Sequence, residues 1–197
     1  MDKTTLERLA LILVPLLVII GLFIYFFSSM QTNAVPADFT AARQKAAAVS
    51  EDIVTLTGET GQKISQANLI QNGGNVNELL NLINGAKATN ATAYQKAFDL
   101  SHTLQQMAES LNTVQQPRQQ LGYEAVALEL SLVSEFISYT GTLNDFLNNL
   151  SNAVIDQNPV SRKMAEDSLK SVNQKADFIN TLNKNFQDKM TAFDQAK

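Results

Sequence analysis

The sequence predicts an all-α protein: an N-terminal transmembrane helix followed by an elongated antiparallel up-down-up-down four-helix bundle. Three observations carry that expectation. Leu9 to Phe27 is a run of 19 residues without a charge. Downstream, apolar residues recur at steps of three and four along four long tracts. At the boundaries of the tracts lie Pro36, Gly73-Gly74, Pro117 and Pro159, in a sequence of only eight glycines and four prolines.

The apolar run comes first in the chain. At ~1.5 Å per residue it makes roughly 28 Å of helix, close to the hydrocarbon thickness of a bilayer. Lys3 and Arg8 precede it, and no Lys or Arg follows until Arg43. The positive-inside rule therefore assigns residues 1–8 to a cytoplasmic tail, 9–28 to the membrane, 29–35 to a spacer and 36–197 to the far side. The expected location is a cell membrane, crossed once, with the bulk of the chain periplasmic or extracellular. A cleaved signal peptide is the rival reading, with Thr32-Asn33-Ala34 as its small-residue site. Such peptides have apolar regions of only about 7 to 15 residues, so a retained anchor fits better. Pro15 removes one backbone hydrogen bond, which membrane helices tolerate.

The first bundle helix is expected over 36–71. Pro36 suits a first helical turn and Asp38 the positive end of the dipole. Its apolar stripe runs Phe39, Ala42, Ala46, Val49, Ile53, Leu56, Ile64, Ala67 and Ile70, interrupted by Gly58 to Gly61. Asn72-Gly73-Gly74-Asn75 is a strong stop, since Gly and Asn accept the left-handed backbone that ends helices. The second helix is expected over 75–115, with Val76, Leu80, Ile83, Tyr94, Phe98, Ser101, Leu104, Ala108, Leu111 and Val114 on one face. The small polar residues from Asn84-Gly85 to Asn90 predict a break in its middle.

Gln116-Pro117 marks the next turn, because a residue before proline disfavours helix. The third helix, 117–157, has the clearest heptad: Leu121, Ala125, Leu128, Leu132, Phe136, Tyr139, Leu143, Phe146, Leu150 and Val154. Asn158-Pro159 ends it. The fourth, 159–196, repeats the pattern at Ala165, Leu169, Val172, Ala176, Ile179, Leu182, Phe186, Met190 and Phe193. Short turns force antiparallel neighbours. Arg118 to Asp156 carries one positive and five negative residues, and Arg162 to Lys197 seven positive and five negative, so the last two helices are expected to pair by charge.

Composition narrows function mainly by exclusion. A net charge of −4 offers no basic stripe for nucleic acid. Cysteine is absent, which removes disulfide and thiolate chemistry. The 18 Asn and 16 Gln equal all the charged residues in number, so the helices present neutral polar faces. His102, the single histidine, forms Asp-x-x-His with Asp99, whereas a di-metal bundle site needs two such motifs and further glutamates. Glu124, Glu129 and Glu135, five and six residues apart, are expected to fan out over a solvated face rather than converge as an acid–base pair. No phosphate-binding loop is present. The expectation is no enzyme, no cofactor, and no catalytic or metal-ligating residue. Most of the aromatic side chains fall at core spacing, and Tyr94 and Tyr139 would each need a hydrogen-bond partner if buried.

The function expected is that of a membrane-anchored extracytoplasmic bundle working by protein–protein interaction or envelope scaffolding. Its partners would be the lipid bilayer, through residues 9–28, and another envelope protein or a second copy. The alternative is an extracytoplasmic ligand-binding, sensor-like bundle working with a membrane partner. In layout alone the chain resembles the four-helix sensor domain of bacterial chemoreceptors, which also follows a first membrane helix. An interaction rod should show an apolar stripe off the core seam, such as Leu69, Leu79, Leu130 and Val133. A sensor should instead enclose a cavity with converging polar groups.

Overall fold

The computed structural model describes residues 35–70 and 75–196. The expected membrane helix over 9–28, with its tail and spacer, lies outside the described residues. Among those described, no helix is long and apolar enough to cross a membrane. The described chain is all-helical: α1 Ala37–Ile70, α2 Val76–Ser110, α3 Arg118–Asp156 and α4 Pro159–Gln195, with a 3₁₀ turn at Leu111–Thr113. The helices are 34 to 39 residues long, which makes each roughly 50 to 60 Å.

The ends follow local chemistry. Asn75 and Asn158 cap α2 and α4, their side-chain oxygens accepting from Asn77 N and Val160 N at 2.9 Å each. Pro159 occupies the first turn of α4, where a missing N–H costs nothing. Gln157 ends α3 in the left-handed region at φ 50°. The Gln116–Pro117 peptide bond, between the 3₁₀ turn and α3, is cis.

Each helix lies against its sequence neighbour, α1 on α2, α2 on α3 and α3 on α4. The core is continuous from Phe39 to Phe193 and includes Ile83, Leu104, Met107, Leu111, Val126, Phe136, Leu147, Phe186 and Met190. Fully burying each large side chain contributes about 1.5–3 kcal/mol. Polar contacts fix the register between helices. Lys96 Nζ donates to Asp52 Oδ2 at 2.7 Å between α1 and α2. Asn90 Nδ2, buried, donates to the Thr140 carbonyl at 2.8 Å between α2 and α3. Lys189 pairs with Glu124, and Lys175 lies 3.9 Å from Glu135 while donating to Ser138 Oγ at 2.7 Å. The expected charge pairing of the last two helices is therefore present.

At one end of the bundle the first and last helices also meet. Arg43, fully buried, donates through Nη1 and Nη2 to the two carboxylate oxygens of Asp194 at 2.9 and 3.1 Å. The Phe39 and Phe193 rings lie 5.3 Å apart, and the Arg118 guanidinium sits 4.8 Å over Phe193. Gly122 permits this crowding: a Cβ there would stand 2.7 Å from Leu111 and 3.0 Å from Phe193.

Three sequence expectations are corrected. The break at Asn84–Asn90 does not occur, and α2 runs straight through it, as α1 does through Gly58–Gly61 where the apolar stripe is interrupted. Gly58 and Gly61 are buried, as are Ala86, Thr89, Asn90 and Ala93, so the small residues serve close approach of α1 and α2 rather than interruption. Val76 and Phe98, expected in the core stripe, are exposed. The expected off-seam stripe dissolves: Leu79 and Val133 are core residues, Leu130 is partly buried, and Leu69 alone stands out in solvent.

Candidate interaction surface

The sequence-level candidates for chemistry are kept apart by the fold. His102 is exposed on α2 and lies 3.2 Å from the Gln106 amide nitrogen rather than being held by the Asp99 carboxylate. Among the described residues no group of three or more His, Cys, Asp or Glu is placed to hold a metal ion. Glu124 and Glu135 are each taken up by a lysine of α4. The Lys189 hydrogen bond holds the Glu124 carboxyl below the ordinary glutamate range.

Glu129 departs from the expected solvated face. It is completely buried in α3, and neither carboxyl oxygen has a hydrogen-bond partner among the described residues. Burial pushes its pKa well above the ordinary value, because the charged form would lose its hydration without compensation. The register contacts place Glu129 at about the level of Thr103 on α2 and Asn183 on α4, both buried. Tyr139 is also buried, stacked 5.9 Å from Phe136, and its phenol is raised by burial. Tyr94 is only half-buried, edge-on to Phe98 at 5.0 Å.

Two apolar features stand out on the surface of the described residues. The first is an open groove between α3 and α4, lined by Leu130, Ser131, Ser134, Glu135, Phe178 and Leu182, with a volume of about 510 Å³. Phe178, which lies off the fourth helix's expected stripe, is half-exposed beside it.

The second follows from topology. In an up-down-up-down bundle the α1–α2 and α3–α4 turns lie at the same end, opposite to the Arg43–Asp194 contact. At that end stand Leu69, Val76, Ile155, Val160 and Met164, exposed by 79, 46, 60, 65 and 51 %. They are five of the eight large apolar side chains that the described residues expose. Around them are neutral polar residues: Asn68, Asn75, Asn77, Ser151, Asn152, Gln157 and Asn158. Of these five, only Leu69 is singled out by the sequence as off the core. Ile155 and Val160 flank the Asp156 to Pro159 turn signals, and apolar residues beside a helix stop have no next turn to cover them.

No protein-family model matches the chain, and neither the curated proteins nor the solved structures compared with it show a match.

Proposed function

We propose that this chain is a membrane-anchored helical rod that works by protein–protein contact at the end farthest from its anchor. The apolar tip is the observation that carries the reading: leaving five large apolar side chains in water at one end costs solvation that a docking partner recovers. The anchor rests on the uncharged run from Leu9 to Phe27 and the basic residues before it. α1 begins at Ala37, so the opposite end of the rod faces the membrane and the tip projects roughly 55 Å outward. The bulk of the chain is then extracytoplasmic, and its role is to hold or recruit a partner at a set height.

A photocrosslinking residue placed in the full chain at Ile155 or Val160, in its native membrane, tests this. Adducts to protein at both tip positions, with few from Gln95 in the middle of α2, are expected. Equal labelling from all three positions, or none from the tip, would overturn the reading. The α3–α4 groove favours a second reading, an amphipathic small ligand bound along Leu130, Phe178 and Leu182. Its signature would be a ligand-dependent shift in thermal stability that Phe178→Ala removes.

A further inference from the structure

The charges beside the tip say what kind of partner fits it. Over residues 65–80 and 151–168 the acidic residues are Glu78, Asp156, Glu166 and Asp167, and the basic ones only Arg162 and Lys163. Lys163 is paired with Asp167 at 3.4 Å in its own helix. Glu78, Asp156 and Glu166 are exposed and make no ion pair among the described residues. Asp156 closes α3, where the helix dipole disfavours a negative charge, so a cation brought there relieves an existing cost. The same end therefore carries three exposed carboxylates that make no ion pair among the described residues, with Arg162 the basic side chain of these two stretches outside the Lys163–Asp167 pair.

We propose that the tip docks a basic amphipathic segment of another protein, its apolar side chains seated among Leu69, Val76, Ile155, Val160 and Met164 and its Lys or Arg residues reaching the surrounding acids. This names the partner's chemistry and rests on the tip being a contact surface. An anionic lipid surface is disfavoured, because it would meet the carboxylates with like charge. A second copy docked tip to tip is disfavoured for the same reason, with three unpaired acids on each side. A basic segment gains both burial and ion pairing, and encounter is steered by the field.

The test uses the full chain in zwitterionic bicelles and an 18-residue helical peptide of leucine and lysine as the probe, with a leucine–glutamate peptide as counterpart. The lysine peptide is expected to bind and to weaken as salt is raised. Glu78→Lys and Glu166→Lys should each lower its affinity by roughly two- to fivefold. Asp177→Lys, which changes net charge equally but sits in the middle of α4, should leave it unchanged. Val160→Asp tests the apolar centre and should weaken binding although it adds an acid. Equal loss from Asp177→Lys, or equal binding of the glutamate peptide, would overturn the proposal, as would lysine-peptide binding that improves in Val160→Asp. If tip crosslinks in the native membrane join two copies of this chain, the basic partner is wrong while contact at the tip stands. If the tip crosslinks to nothing there, the contact reading fails first.

Discussion

Glu129 shows at the scale of one residue what a heptad reading misses. Leu128 and Leu132 fall on the predicted seam, which makes Glu129 a flank. The buried residues of α3 include Val126, Glu129, Val133, Phe136, Thr140, Leu143 and Leu147, themselves a run of threes and fours. α3 touches α2 on one side and α4 on the other, so its buried arc is wider than a single stripe. The carboxyl is thus in the core by geometry that one periodicity cannot show. Because its folded pKa is raised above the unfolded value, the protonated form is the one folding favours. Its contribution to stability is complete below the ordinary glutamate pKa of 4.5 and is lost as pH rises through the raised folded value. Glu129→Leu should therefore stabilise the bundle at neutral pH, by about 1–3 kcal/mol, the cost of an unpartnered buried polar group. Urea denaturation of variant and parent at several pH values checks it. The stability gap should widen between pH 4.5 and neutrality; a constant gap would mean that the carboxyl does not titrate in the fold.

Helix ends are legible because their signals are local. Asn75 and Asn158 cap, Pro159 starts and Gln157 closes, and the observed ends fall within a few residues of those read from sequence. Interior glycines are not legible, since their meaning depends on what lies across the helix. Gly85 faces the Lys63 side chain, and a Cβ there would come within 3.3 Å of it. Gly122 is hemmed in by Leu111 and Phe193, whereas a Cβ added at Gly141 in the middle of α3 would meet nothing within 4 Å. Gly141→Ala should stabilise α3 by about 0.5–1 kcal/mol through helix propensity alone. In a thermal melt that corresponds to roughly 1–4 °C upward. A fall in melting temperature would show that the position is covered by something the described residues do not include.

Across the whole molecule, the four-helix order and antiparallel sense follow from turn length, and the closure of α1 on α4 does not. That closure depends on Arg43 and Asp194, 151 positions apart, and on the Phe39–Phe193 contact, which no local pattern announces. The tip is likewise hidden from the sequence. Leu69, Val76, Ile155 and Val160 belong to different helices, and only the fold brings the two turns to one end. The same fold leaves the first-turn amides of α2 and α4 at that end without intrahelical acceptors, so they report directly on whether the tip is covered. Hydrogen exchange of the full chain, compared between its native membrane and dilute detergent, measures this. Contact at the tip predicts slower exchange over 76–82 and 151–165 in the membrane, with the middle of α3 and α4 unchanged. Identical exchange at the tip in both settings, with new protection around Leu130 to Glu135 and Phe178 to Leu182, would contradict it and favour a ligand in the groove instead.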